Sequence, residues 1–231
     1  MAGQRNLKKT VLALLPGPDI DRILSLLTAH PPEALLNALF SGICHADPKT
    51  RWHAITAMGA TVARLAGQDM EAARVVMRRF MWSLNDESGG IGWGAPEAMA
   101  ECLALHAGLA EEYTKILVSF MREDGFYLEL PALQRGLMWG VARVAQVRPD
   151  LLRAWQADRY LPPYLDSEDS MVRALAARAS GQLRVVAARE KIACGLGNST
   201  EFPLYADHRL TTVTTDQLAR EALAALALVA E

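Results

Sequence analysis

Neither sign of charge dominates this chain: 24 basic residues stand against 26 acidic ones, a formal net charge of −2. A duplex-DNA binder needs a cationic excess to replace phosphate counterions, and no basic stripe stands out. Cysteines are few: Cys44, Cys102 and Cys194 are far apart, odd in number and form no CxxC. That excludes a disulfide framework and a zinc ribbon, and matches thiols acting as small apolar residues in a reducing cytoplasm. Aromatic residues make up only 6%, while Ala and Leu are abundant, which favours helix over sheet. No apolar run approaches the roughly 18–20 residues of a membrane span. The N-terminal run from Val11 to Leu15 ends at Pro16-Gly17 and is too short for a signal sequence. The expectation is a cytoplasmic protein with no membrane segment.

What is present is helical periodicity. "PDIDRILSLLTAH" places Ile20, Ile23, Leu24 and Leu27 on one face. "PPEALLNALFSGIC" begins with prolines, tolerated in a first turn. "DPKTRWHAITAMGATVARLAG" has Asp47 as N-cap, Pro48 at the first position and Gly67 at the end. "DMEAARVVMRRFMWSL", "APEAMAECLALHAGL", "EEYTKILVSFM" and "PALQRGLMWGVARVAQ" follow, with "REDGFYLEL" as a loop before the last of these. "RPDLLRAWQADRYL" and "DSEDSMVRALAARASGQLRVVAARE" are expected to continue as helices, and "TTDQLAREALAALALVAE" is the final one. Residues 194–215 are rich in Gly, Asn, Pro and β-branched side chains. They read as a long ordered loop, with a short hairpin between Phe202 and Val213 as an option.

The chain also repeats itself. Asp47, Arg51, Ala54, Ala57 and Gly59 share their spacing with Asp169, Arg173, Ala176, Ala179 and Gly181. A step of 38 residues back from Arg173 reaches Arg135, and a second reaches Glu97, whereas Glu97 to Arg51 is 46. The extra eight residues fall close to the glycine-rich stretch that follows Trp82. Positions three and six after this column are Ala54 and Ala57, Ala100 and Leu103, Met138 and Val141, Ala176 and Ala179. Small residues there allow helices to approach closely. Such periodicity is expected of helix pairs that cannot bury their apolar faces alone and therefore stack.

The "DPKTRWHAITAMG" and "DSMVRALAARASG" units and the period near 38 resemble HEAT repeats, in particular the bacterial HEAT-like kind found in phycobilisome lyase subunits. The resemblance covers roughly residues 31–181. The middle units depart from it: Trp93 and Pro131 stand where Asp is expected, and Glu97 replaces Arg. It implies an all-α, right-handed α-α superhelix of about four to five helix pairs. The expected organisation is one domain over residues 1–231: N-terminal capping helices to 30, repeats over 31–190, and a loop plus C-terminal capping helix over 191–231. The family is nearly silent on function, since it holds scaffolds, transport factors, lyase subunits, DNA glycosylases and iron hydroxylases.

The glycine-rich interruption is the best site candidate. Asn85, Asp86, Glu87 and Ser88 offer carboxylates and caps, and Trp82 and Trp93 offer flat apolar surface. The glycines match neither GxxxxGK[ST] nor GxGxxG, so nucleotide binding is a weak reading. The plainer reading is a tight turn with the tryptophans in the core. Arg51, Arg135 and Arg173 either bind an anionic partner or form an Asp–Arg ladder between repeats, and matched positions favour the ladder. Glu97 either alternates charge within it or displays a carboxylate on the inner groove. His45, Asp47 and His53 lie close in sequence, but Asp47 is better explained as a cap, and no metal or cofactor is expected.

The favoured function is a non-catalytic interaction module that binds a protein or peptide in its concave groove through Trp82, Asn85, Asp86, Glu87, Ser88, Trp93, Glu97 and Arg135. The alternative is an enzyme or lyase-like accessory acting on a ligand held by residues 85–97, with Asp86, Glu87 or Glu97 as its carboxylate. A weaker alternative is nucleic-acid binding through Arg74, Arg78 and Arg79, against which the net charge argues.

Overall fold

A computed structural model describes residues 2–85, 92–197 and 199–228. The chain divides into two compact units, Met1–Ala110 and Glu111–Glu231. In the first, helices run α1 (Ala2–Leu14), α2 (Ile20–Leu27), α3 (Pro32–Ile43), α4 (Pro48–Gln68), α5 (Met70–Leu84) and α6 (Ala95–Leu105), and α7 (Ala107–Ser119) begins there. α4 is the centre: it packs on α3, α5 and α6. Trp52, Ala54, Ile55, Ala57, Met58, Val62 and Leu65 cover almost its whole circumference and are buried, as expected of a helix enclosed by neighbours. Its start is set by Asp47, whose carboxylate accepts from the Thr50 N–H at 2.8 Å. Arg64 ties α4 to the turn after α2 by donating to the Thr28 and His30 carbonyls at 2.9 and 2.8 Å.

In the second unit, α8 (Pro131–Val147) packs against α11 (Ser170–Leu183), and α11 packs against α13 (Thr215–Ala227). Between α8 and α11 lie α9 (Pro149–Ala154), α10 (Ala157–Tyr160) and a 3-10 turn, Pro162–Asp166. After α11 come a second 3-10 turn (Val186–Ala188) and α12 (Arg189–Cys194).

Two helices expected from periodicity are broken. The segment 149–161 reverses at Gln156, whose φ is 61°, and Pro162 and Pro163 then carry the 3-10 turn. α11 stops at Leu183 because Arg184 takes φ 57°, and the Val185 N–H returns to the Ser180 carbonyl at 2.9 Å. That is a Schellman stop, usually built on glycine. Burial of Val185 and a bond from Arg153 to the Leu183 carbonyl (3.0 Å) hold it with arginine instead.

The segment 194–215 does contain a hairpin. β1 (Glu201–Ala206) and β2 (Arg209–Thr214) pair antiparallel, with Phe202 opposite Val213. Asp207 and His208, φ 48° and 61°, form the two-residue turn with both residues left-handed that matches strand twist. Phe202, Leu204, Tyr205 and Val213 are buried, and the Trp139 indole of α8 donates to the Tyr205 carbonyl at 2.7 Å. The hairpin is thus tied to α8 through Trp139, while α13 covers α11.

The repeat pattern is a packing pattern. All eight column residues, Ala54, Ala57, Ala100, Leu103, Met138, Val141, Ala176 and Ala179, are fully buried. The shared glycine marks a helix crossing in each unit. A Cβ on Gly59 would lie 2.6 Å from the Glu101 Cβ of α6, and one on Gly181 would lie 2.8 Å from the Ala222 Cα of α13. Gly181→Val should therefore cost about 1–3 kcal/mol through forced separation of α11 and α13. Gly67, with open space around it, is the control: Gly67→Ala should gain about 0.5–1 kcal/mol from helix propensity. Urea midpoints followed by circular dichroism read both; equal midpoints for the two variants would refute the crossing.

Candidate functional site

Four of the expected site residues, Trp82, Asn85, Trp93 and Glu97, belong to the first unit near where α3 and α5 end and α4 and α6 begin. Gly92 lies against the end of α5: a Cβ there would sit 2.7 Å from the Ser83 carbonyl oxygen. Gly94 lies against the end of α3, where a Cβ would sit 2.4 Å from the Ile43 carbonyl oxygen, and its φ is +72°. Between them, the Trp93 carbonyl accepts from the Cys44 thiol at 3.5 Å. Only glycine fits at 92 and 94, so the chain is clamped between two helix ends. This clamp presents Trp93, 41% exposed, on the edge from which Trp82, 75% exposed, also projects. The tryptophans are not core. Asn85 terminates α5 with its N–H on the Met81 and Trp82 carbonyls. Asp86, Glu87 and Ser88 lie outside the described residues.

Glu97 occupies the first turn of α6, whose cap is Gly94 and so offers no side-chain acceptor. The residue is half-buried, but its Oε2 is fully sheltered and takes no hydrogen bond among the described residues. Burial pushes its carboxyl above the ordinary glutamate range; its own N–H and the nearby Arg51 charge only partly offset this. Arg51 mirrors it: its Nε is sheltered without a hydrogen-bond partner among the described residues. The two charges face each other without forming a direct bond.

The other column residues show what a completed rung looks like. In the second unit, Arg135 grips the Asp169 carboxylate through Nε (3.1 and 3.0 Å) and Nη2 (2.5 Å). Asp169 also caps α11, accepting from the Met171 and Val172 N–H groups at 3.0 Å. Burial raises the Asp169 carboxyl, but Arg135 and these N–H donors outweigh it and hold it below the ordinary range. Arg173 fastens the preceding turn, donating to the Ser167 and Glu168 carbonyls at 2.6 and 3.0 Å. Arg135 is thus engaged in an Asp–Arg rung within the second unit.

The remaining candidates have structural partners. His53 Nδ1 meets the Leu15 carbonyl at 2.8 Å, and His45 Nδ1 accepts from the Asp47 N–H at 3.1 Å. No group of metal-binding side chains occurs among the described residues. Arg78 and Arg74 reach Glu71 at 2.7 and 3.4 Å, and Arg79 stacks over Phe40 at 3.7 Å. No helix is long and apolar enough to cross a membrane among the described residues.

Sequence reasoning missed a cavity of about 540 Å³ in the second unit. It opens where the 122–130 loop meets Gln134 of α8 and the 160–167 segment. Periodicity could not reveal it, because its walls come from stretches that carry no repeat pattern.

No family model and no curated protein sequence matches the chain. Solved structures do. A computationally designed armadillo repeat protein for modular peptide recognition is 16% identical, with TM-score 0.53, covering 96% of this chain and 92% of that one. A designed armadillo repeat protein in complex with the peptide (KR)4 is also 16% identical, with TM-score 0.51 over 94% of this chain and 98% of that one. An engineered protein matches at TM-score 0.52 and 16% identity, covering 96% of each. The chain has a helical-repeat fold of the armadillo and HEAT kind. At this identity the likeness concerns fold, and it bears out the repeat resemblance and the all-α class, with the hairpin as the β exception.

The sheltered carboxylate has a sign that can be tested. A carboxyl raised on folding withdraws stability as pH climbs from the ordinary glutamate value, about 4.3, through the raised one. Glu97→Gln should therefore be more stable than the parent at pH 7, with the difference closing below pH 4. A variant less stable than the parent at pH 7, in urea titrations at both pH values, would show that Arg51 favours the ionised form more than burial opposes it.

Proposed function

We propose that this protein is a non-catalytic interaction module that binds a protein or peptide segment at the edge bearing Trp82 and Trp93. One observation carries the reading: two large aromatic side chains stand exposed on one edge, and one of them is held out by a glycine clamp that leaves its backbone no freedom. Exposed, pre-positioned tryptophan is the residue type most often found to dominate binding energy at interfaces. Glu97 and Arg51 each keep a sheltered polar atom without a hydrogen bond among the described residues, an unmet acceptor and donor for any partner that reaches them. Arg135, engaged by Asp169, is left out of this site. A designed armadillo protein of similar fold binds the peptide (KR)4, which supports a peptide as the class of partner. Three free thiols, Cys44, Cys102 and Cys194, suit a reducing cytoplasm.

The second reading, an enzyme acting on a ligand at residues 85–97, has one observation in its favour. Glu97 is a carboxyl that burial pushes above the ordinary glutamate range, the direction that general acid–base work requires.

Selection of a displayed random peptide library on the full chain tests the first reading. Enriched peptides should share a sequence pattern, and Trp82→Ala and Trp93→Ala should each weaken them by at least about 2 kcal/mol, the hot-spot scale. Peptides that bind both variants as tightly as the parent would place the site elsewhere.

A further inference from the structure

The cavity of the second unit is unassigned, and its lining carries three acids against one base, Arg122. Three tyrosines, Tyr127, Tyr160 and Tyr164, line it together with Gln134 and the acids Glu123, Asp124 and Asp166. Its 540 Å³ falls within the roughly 300–1,000 Å³ of pockets that take small ligands.

Three donors of this lining, Gln134, Tyr164 and Arg122, are engaged by the protein itself. Gln134 Nε2 donates to the Tyr127 hydroxyl at 3.1 Å and to the Leu128 carbonyl at 2.9 Å. The Tyr164 hydroxyl donates to the Met121 carbonyl at 3.3 Å. Arg122 is clamped on both oxygens of Asp124 at 2.9 and 2.7 Å. Lys191 neutralises Asp166 from outside the cavity.

Acceptors are left over. Gln134 is 7% exposed, both its amide protons are used, and its carbonyl oxygen takes no hydrogen bond among the described residues. Glu123 has no ion pair among the described residues, so one carboxylate of the three is unmatched. The aromatic faces point the same way. Tyr127 and Tyr164 lie 6.4 Å apart, tilted by 41°, and Tyr160 already carries the Arg122 guanidinium at 5.4 Å from its ring. An unengaged amide oxygen, an unmatched carboxylate and electron-rich rings together select a ligand that donates hydrogen bonds and carries positive charge.

We infer that this cavity is a binding site for a guanidinium or alkylammonium group, seated against Tyr127 and Tyr164 with its N–H donors on Gln134 Oε1 and its charge opposite Glu123. The inference goes beyond the proposed function and does not rest on it, because its residues belong to the second unit alone. Gln134 fixes where the head group sits, since the two amide bonds leave its carbonyl no freedom to turn. Glu123 supplies the charge selectivity.

The experiment is a nuclear magnetic resonance titration of the full-length protein with N-butylguanidinium and with its neutral isostere N-butylurea. The cation should shift the signals of Tyr127, Gln134 and Tyr164, and the urea should not at equal concentration. Glu123 is exposed, so Glu123→Gln is expected to fold as the parent does, checked by an unchanged spectrum without ligand. It should weaken the cation by about fivefold, near the upper end for an ion pair in contact with solvent. A peptide with one internal arginine and blocked ends separates the two sources of the head group. Binding as tight as that of N-butylguanidinium marks a partner's side chain, and binding of the small cation alone marks a free metabolite. Equal binding of the urea and the cation, no shift with either, or an unchanged affinity in Glu123→Gln would each overturn the assignment. Loss of peptide selection in the Trp82 and Trp93 variants leaves this titration unchanged, so the two proposals fail separately.

Discussion

One carboxylate holds the second unit in register. Asp169 ends the turn before α11 by capping its first N–H groups, and it accepts a two-pronged guanidinium from Arg135 on α8. A cap alone fixes where a helix begins, and an ion pair alone is worth little at a surface. Shared by one mostly buried carboxylate, they fix the height of one helix against the next. Small residues can then line the contact without leaving voids, and Ala176, Ala179, Met138 and Val141 are all fully buried. Beyond that contact, Gly181 meets the backbone of α13 with no room for a side chain.

The first unit uses the same column with one change, and that change creates the candidate site. Arg51 has no aspartate across from it, because Trp93 stands in that place. The available acid is Glu97, four residues later and inside the first turn of α6. The pair is electrostatically coupled but not joined, leaving a sheltered oxygen and a sheltered nitrogen unpartnered among the described residues. Meanwhile the glycines at 92 and 94 press the chain between the ends of α3 and α5 and leave Trp93 facing out. A residue type that loses its structural partner in one repeat while its neighbour becomes exposed is the arrangement expected where an array gives up internal order for recognition.

Much of this was legible in the sequence, for identifiable reasons. Asp47 read as a cap because it precedes a helical period, and it caps; Asp169, its counterpart in the repeat spacing, caps as well. The small-residue columns read as contacts because their spacing recurs. Other features had no local signal. The breaks at Gln156 and Arg184 occur at residues with no glycine or proline at the reversal itself, and packing of Val185 and the Arg153 bond impose one of them. Trp82 and Trp93 read more plainly as core, and both are exposed; for Trp93 the exposure comes from the clamp at glycines 92 and 94. The tyrosine-lined cavity joins residues 121–134 to residues 160–167, a juxtaposition that no motif announces. Asp86, Glu87 and Ser88 were drawn in by composition and lie outside the described residues.

The central claim is that the arginine column is a structural ladder whose rung is the Asp169–Arg135 bond. A double-mutant cycle measures it: the urea stabilities of the parent, Arg135→Met, Asp169→Asn and the combined variant. Asn retains a capping side chain, so the cycle isolates the ion pair. The account predicts a coupling energy of about 1–3 kcal/mol, as found for hydrogen-bonded charges sharing one network. Two effects that simply add, to within about 0.3 kcal/mol, would mean that Arg135 is not bound to the ladder and is available for a partner after all.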